Sequence, residues 1–183
     1  TSFSTQSTTP NLLGYNTDGS DTTAGQGWYT LSIAVNPTNA SDVYVGGVNH
    51  WRSTNSGSTW SCITQWYGCC GYPYVHADVH NISFLPGSST TLYSCNDGGI
   101  FKSTNNGTAW TDISNNLQIA QMYRLGTSAT DSNLAITGHQ DNGTNLMNSS
   151  TWSYVIGGDG MEAAIGHSHS NLMFGEIYYG EIY

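Results

Sequence analysis

Basic side chains are scarce in this sequence: only three of its 183 residues are Lys or Arg, against twelve Asp or Glu, and the formal net charge is −9. Nucleic-acid binding depends on clustered Lys and Arg beside phosphates, so the composition excludes that class of function. The sequence also lacks any apolar run near the roughly 20 residues of a membrane span, and an acidic surface does not attract anionic lipid. We therefore expect no membrane insertion.

Charged residues of both signs amount to only 8% of the chain, while aromatic residues make up 12%, with six Trp and twelve Tyr. A polar chain with few apolar groups stays disordered, but buried aromatic area offsets the entropy of the chain. A chain of this size buries roughly 70% of its unfolded surface. We expect a folded domain with its own core.

Cysteine is also sparse. An even count in a chain with an extracellular composition favours two disulfides, and the predicted pairing joins Cys95 to Cys69 or Cys70 and Cys62 to the other. A bond between the neighbours Cys69 and Cys70 is disfavoured because it strains the peptide between them. The alternatives are a zinc site, although adjacent cysteines do not give the spacing typical of zinc, and reduced thiols.

The strongest signal is an internal repeat. The segment STNSGSTW, which ends at Trp60, returns 50 residues later as STNNGTAW, which ends at Trp110, and a degraded third copy ends at Trp152. Short alternating segments accompany each copy and give four short strands per unit of roughly 40 to 50 residues. The spacing predicts an all-β fold: β-propeller blades of four antiparallel strands, forming a partial propeller of about four blades.

The repeated segment has a mechanical role in this interpretation. Asn bonds its own backbone and tolerates the left-handed region, and Gly57 and Gly107 take positive φ without steric cost. The Trp that follows packs into the blade as the next strand begins. We therefore expect Trp60, Trp110 and Trp152 in equivalent buried positions at the starts of outer strands.

The blades are assigned by placing the repeats in phase. The chain begins at Thr1 without an initiator Met and stops at Tyr183 inside a strand-like pattern, so we expect it to be a piece of a longer protein. The predicted segments are an extended N-terminus or the end of a preceding blade at 1–24, and blades at about 25–75, 76–118, 119–157 and 158–183, the last one incomplete.

The two best copies resemble the Asp box, Ser-x-Asp-x-Gly-x-Thr-Trp, of sialidases, xyloglucanase-like glycosidases and the sortilin ectodomain. The chain from Gly25 onward looks like the sortilin-like or xyloglucanase-like propellers that Bacteroidetes secrete, which implies an extracellular or cell-surface location. Asn55 and Asn105 replace the Asp that names the box. A sialidase of that family needs three Arg residues, whereas this chain has only Arg52 and Arg124.

Polar and aromatic side chains are predicted to collect on the blade face opposite the box turns. Aromatic faces beside carboxylates suit sugar rings, so the predicted partner is a glycan or cell-surface polysaccharide. In the alternative interpretation the aromatics simply cover the ends of the blades. The predicted ligand-binding residues are Trp28, Tyr29, Trp66, Tyr67, Tyr74, Asp97, Asp141, Asn142 and Glu162.

A metal site is predicted at His76, Asp78 and His80, because alternation along a strand sends residues i, i+2 and i+4 to one side. Imidazole with one carboxylate suits zinc, while calcium prefers oxygen ligands such as those of Asp97 and Asp141. The alternative is a hydrogen-bonded polar cluster without an ion.

Three classes of function remain open. A carbohydrate-binding module is favoured. A xyloglucanase-like glycoside hydrolase would use Asp78 and Asp159 as its paired carboxyls, with Glu162 as a substitute. A structural unit of an extracellular assembly would pair its open edges with other copies or with the rest of a longer chain.

Glycosylation is the last prediction from the sequence. Five Asn-x-Ser/Thr sequons accept N-linked sugars if the host glycosylates exported proteins. They begin at Asn39, Asn81, Asn106, Asn142 and Asn148.

Overall fold

A computed structural model describes residues 4–23, 25–117 and 120–183. The described residues form strands and one short 3₁₀ turn, Tyr178–Gly180. The strands are β1 (Ser32–Asn36), β2 (Asn39–Gly46), β3 (His50–Ser53), β4 (Ser61–Cys62), β5 (Val79–Phe84), β6 (Leu92–Asn96), β7 (Gly99–Ser103), β8 (Thr111–Asp112), β9 (Met122–Thr127), β10 (Leu134–His139), β11 (Gly143–Asn148), β12 (Thr151–Ile156), β13 (Gly160–Ile165), β14 (Met173–Ile177) and β15 (Glu181–Ile182). Within the part of the chain that the structure describes, there is no helix long and apolar enough to cross a membrane.

The strands form four antiparallel meanders in sequence order. Three sheets have four strands each, β1 to β4, β5 to β8 and β9 to β12, and the fourth has three, β13 to β15. Within each sheet, each strand pairs with the next one along the chain. This order is that of β-propeller blades, so the predicted all-β fold class, a partial propeller, is confirmed.

The chain divides into two compact units, Thr1–Leu117 and Gln118–Tyr183. Unit 1 contains the first two blades, which pack against each other through β1, β2 and β5. Their shared core is built around Tyr44, Val79, Ile82 and Leu92, all at most 3% exposed. The side chains of Phe84 and Trp110 pack against that core, with the Phe84 ring edge-on to Tyr44 at 5.6 Å.

The repeated turns of unit 1 have the same hydrogen bonds. The Ser53 hydroxyl accepts the Gly57 N–H at 2.8 Å, and the Ser103 hydroxyl accepts the Gly107 N–H at 2.9 Å. Each Ser also donates to the Asn two positions later, at 2.9 Å. Gly57 and Gly107 have φ of 86° and 78°, a region in which a side chain is strained. The turn is therefore specified by its Ser, Asn and Gly, as expected.

The tryptophans that follow these turns close them. The indole Nε1 of Trp60 donates to the Gly57 carbonyl at 3.1 Å, and Trp110 makes the same bond to Gly107. Both side chains are partly buried one residue before β4 and β8. The prediction of equivalent positions holds for this pair.

The expectation for Trp152 is wrong. The third copy of the repeat forms a short hairpin in which Asn148 pairs with Thr151, with Ser149 at φ 59°. Trp152 lies within β12 and is 51% exposed. Because the degraded copy has lost the Gly that the longer turn requires, the chain reverses in two residues instead.

Unit 2 contains the third and fourth blades. Its β13 packs against β9 and β10, with Ile136 and Ala163 buried between them. Gly126 and Gly138 permit this approach, since a Cβ on Gly126 would lie 2.7 Å from the Ala163 carbonyl oxygen. Small residues at these positions set how closely the two blades meet.

Candidate functional site

Strand order sorts the loops of unit 1 into two ends. The turns that close with Trp60 and Trp110 lie at one end. The opposite end, named the link end here, carries the β2–β3 turn, the β6–β7 turn and the link of residues 63–78. Loops at the link end position most of the predicted site residues of unit 1.

Asp97 is the centre of a hydrogen-bonded cluster at the link end. Its Oδ2 accepts the Tyr29 hydroxyl at 3.0 Å, and its Oδ1 lies 2.5 Å from the Nε2 of His80. The Asp97 side chain is only 3% exposed, whereas that of His80 is 40% exposed. The Tyr29 ring stands edge-on to the His80 imidazole, with centroids 5.0 Å apart. A buried carboxylate is thus held by a phenol and an imidazole.

Asp78 joins the same cluster from the link. A carboxylate oxygen of Asp78 and one of Asp97 lie within 4.8 Å of each other. Burial, and then the charge of Asp97, raise the pKa of the Asp78 carboxyl above its ordinary value. The Gln26 amide donates to Asp78 Oδ1 at 2.9 Å. Unit 1 therefore brings together three predicted residues, Asp78, His80 and Asp97, and adds Gln26, which sequence reasoning missed.

The predicted alternation of His76, Asp78 and His80 along one strand is wrong. Strand β5 begins only at Val79, and Asp78 has φ 64°, so the three side chains do not follow a strand period. The His76 ring lies against Gly98, and His80 is bonded to Asp97. The oxygens of Asp78 and Asp97 are the better ligands here, and carboxylate oxygens suit calcium more than zinc. A calcium or zinc site stays a prediction.

Four of the five predicted aromatic residues of unit 1 are exposed, and the fifth, Tyr29, is half-buried. Trp28 is 84% exposed and lies 5.7 Å from the Tyr29 ring, beside the Asp97 cluster. Trp66 and Tyr67 pack edge to face at 4.8 Å in the link. Tyr74 is 48% exposed, and its ring packs edge-on against Phe101. The link end therefore presents exposed rings, of which Trp28 lies next to the buried Asp97 cluster.

The predicted disulfide pairing is wrong. The structure joins Cys69 to Cys70, and Cys62 and Cys95 are free thiols. The tight link turn, with Cys70 at φ 64°, places the two neighbouring sulfurs together. The Cys62 thiol lies 3.1 Å from the Thr64 carbonyl oxygen, and burial raises its pKa to about 11.

His50, the first residue of β3, is a core residue. It is 1% exposed, with its ring nitrogens 3.0 Å from the Thr64 hydroxyl and 2.8 Å from the Ser94 hydroxyl. Burial lowers the pKa of the imidazole to about 3. His50 therefore ties the two blades of unit 1 together as a neutral group.

In unit 2 the structure pairs two other predicted residues. The Asp141 N–H donates to Asp159 Oδ1 at 2.9 Å, and Asn142 occupies the same β10–β11 turn. Glu162 forms an exposed ion pair with Arg124 at 3.0 Å. The Glu162 carboxylate, which the sequence predicted as a substitute catalytic group, is therefore bound in an ion pair.

The predicted catalytic pair is split between the units, with Asp78 in unit 1 and Asp159 in unit 2. The carboxylate that unit 1 places beside Asp78 is that of Asp97. A carboxyl with a raised pKa next to a second carboxyl is an arrangement that acid–base chemistry uses. However, Asp97 is nearly buried and both of its oxygens are bonded, which suits a structural anchor better than a nucleophile.

The sequon residues differ in access. Asn106 is half-buried, and its side-chain oxygen is enclosed without a hydrogen-bond partner. The side chains of the other four sequon residues are exposed, namely those of Asn39, Asn81, Asn142 and Asn148.

The class of protein that the strand order defines is a β-propeller blade array. A search of solved structures found likenesses to β-propeller proteins. An ancestral GH74 enzyme is 15% identical, with 81% of this chain and 24% of that chain covered and a TM-score of 0.39. The GH74 enzyme of Niastella koreensis is 20% identical, with 80% and 25% covered and a TM-score of 0.37. The chain spans about a quarter of the length of these enzymes.

A further likeness is to YCF48 from Cyanidioschyzon merolae, which is 12% identical, with 81% of this chain and 53% of that chain covered and a TM-score of 0.37. No protein-family model matches this chain, and no curated protein matches it. The assignment to β-propeller blades therefore rests on the strand order and register described above.

Proposed function

We propose that this chain is an extracellular β-propeller module that binds neutral carbohydrate, and that the link end of unit 1 is the binding surface. The observation that carries the proposal is the position of exposed Trp28 next to the Tyr29–Asp97–His80 cluster. A sugar ring packs its C–H face on an aromatic ring while its hydroxyls bond to polar groups.

Charge limits the kind of glycan. The chain has three basic residues in all. In unit 1, Arg52 is committed to Asp42, with Nε 2.7 Å from Oδ1, and the Lys102 ammonium lies over the Tyr93 ring. Acidic sugars need a cationic partner that the link end does not supply, and the nearby Asp78 and Asp97 repel them. A neutral polysaccharide, such as a β-glucan, fits this surface.

Affinity electrophoresis in gels that contain soluble neutral polysaccharides tests the proposal. We expect at least one gel to retard the unmodified chain, and Trp28→Ala and Trp66→Ala to lose roughly tenfold in affinity each without a change in melting temperature. Ile33→Ala, which removes an exposed apolar group on β1, is the matched control. Equal retardation of all four proteins would remove the link end from consideration.

A glycoside hydrolase is the second candidate, because the raised pKa of Asp78 beside Asp97 fits a general acid. The assay is the release of reducing ends from β-glucan. If the chain is an enzyme, Asp78→Asn reduces the rate by at least a hundredfold. A binding module releases no reducing ends before or after the substitution.

Calcium is the ion that the proposal allows at Asp78 and Asp97, since both offer carboxylate oxygens. A bound ion that stabilises the fold makes the melting temperature depend on its free concentration. A chelator would then lower the melting temperature, and an unchanged value would remove calcium from the proposal.

A further inference from the structure

Unit 2 has an open groove of about 630 Å³ beside its outer strand. The sequence predicted only two of its lining residues, Asp141 and Asn142, as site residues. The groove is lined by Ala120, Met122, His139, Asp141, Asn142, Asn145, Trp152 and Tyr154.

Two aromatic rings form one side of the groove. Trp152 and Tyr154 lie two positions apart on β12, so both side chains leave the same face of the sheet. They are 51% and 64% exposed, although rings of this size are usually buried. The Tyr154 ring rests on Gly143, where an added Cβ would lie 2.5 Å from the ring. The backbone of the β10–β11 turn thus supports this ring from beneath.

The hydrogen-bonding state of His139 follows from its partners. The Thr137 hydroxyl donates its single hydrogen to the Arg124 carbonyl at 2.9 Å, so it can only accept from His139 Nε2, which lies 3.1 Å away. The proton of the neutral ring is therefore on Nε2, and Nδ1 is an acceptor. Burial lowers the pKa of His139, which keeps the imidazole neutral near pH 7.

The two amides of the groove are fixed in a similar way. Asn145 Nδ2 donates to the Asn142 carbonyl at 2.9 Å, and Asn142 Nδ2 donates to the Gln140 carbonyl at 3.1 Å. Each amide nitrogen donates one of its two hydrogens to the backbone, which fixes the orientation of the amide, so its oxygen and its second N–H remain for other partners. Asn145 also pairs across the sheet with Tyr154, which places this acceptor beside a ring.

The lining thus combines aromatic faces with hydrogen-bond acceptors and contains no Lys or Arg. A ligand that complements it presents an apolar face and several hydroxyl donors and carries no negative charge. We propose that the groove is a second carbohydrate site, which holds an uncharged hexopyranose unit against Trp152 and Tyr154. The ligand class rests on the function proposed above. The residues of this site differ from those of the link end and belong to unit 2.

Calorimetric titration with neutral oligosaccharides of glucose, mannose and galactose tests this site. We expect Trp152→Ala and Tyr154→Ala each to weaken binding about tenfold, while Leu172→Ala, another exposed apolar residue of unit 2, has no effect. The titrations use the Trp28→Ala, Trp66→Ala double variant as background, so that the link end does not contribute.

Imidazole ¹⁵N resonances provide a second readout. A sugar hydroxyl that donates to His139 Nδ1 shifts that resonance and leaves Nε2 protonated, and a merely structural change at Trp152 does not reproduce the shift. Binding in the double-variant background with this shift supports the groove even if the link end binds nothing. Absence of binding in that background, or a response to choline but not to sugars, overturns the groove and leaves the link end to its own test.

Discussion

The first two blades and the third blade end their third strands differently, and the comparison explains which tryptophans are structural. In unit 1 each turn has a buried Ser that binds the Gly four residues later, and the following Trp closes the turn. In unit 2 the equivalent connection is a two-residue hairpin, and Trp152 lies exposed on β12. The same residue type at the same place in the repeat therefore packs into a core in one unit and faces solvent in the other.

The strongest test of this comparison is to replace Trp110 and Trp152 one at a time. We expect Trp110→Ala to lower the free energy of unfolding by about 3 kcal/mol, because it empties a space against the Tyr44 core. Trp152→Ala should change it by less than about 0.5 kcal/mol, as for other surface positions. Urea unfolding measures both, and similar losses would contradict the assignment.

The turn serine gives the next largest effect. Ser103→Ala leaves the buried Gly107 N–H without its acceptor, and we expect a loss of about 1 to 3 kcal/mol in the free energy of unfolding. Ser150 lies in the hairpin of unit 2 and is exposed, so Ser150→Ala is the matched control, with little change expected. Thermal unfolding of both variants decides whether the longer turn is held by its side chain or by strand pairing alone.

The smallest effect concerns a carboxyl of the link end. The pKa of Asp78 is raised in the folded state, mainly by burial, so its ionised form opposes folding at pH 7 and this cost disappears as the pH falls through the folded pKa. Asp78→Asn keeps an acceptor for Gln26 and should stabilise the fold at pH 7 by a few tenths of a kcal/mol, since solvent screens a half-exposed group.

The matched control for this carboxyl is Asp131→Asn, at an exposed position of unit 2 where the carboxylate also accepts one hydrogen bond. Melting temperatures of both variants at pH 7 and pH 4 make the comparison. A stabilisation by Asp78→Asn that persists at pH 4 would show that ionisation is not its cause.

Periodicity and turn chemistry made the blades predictable. Strand alternation is a local property, and the Ser, Asn and Gly of the repeat bond within eight residues, so sequence reasoning reached them. The cluster of Asp78, His80 and Asp97 was also foreseen, because strand order assigns each loop to one end of a blade. The link end itself stays a candidate site.

The metal-site prediction failed because of the irregular link before β5. A positive φ at Asp78 breaks the alternation that the predicted metal site required, and no local sequence signal announces it. The hydrogen bond from Gln26 to Asp78 joins residues 52 positions apart, so it could be identified only from the fold. Trp152 was misplaced because the loss of one Gly changed the turn and not the strand pattern.

The bond between Cys69 and Cys70 has a consequence for where this fold can form. A disulfide limits the unfolded chain by closing a loop, and a bond between neighbours closes none. Cys62, with its pKa raised to about 11, is almost entirely protonated near pH 7 and resists thiol exchange. Strand pairing and packing therefore maintain the blades in reducing and oxidising surroundings alike.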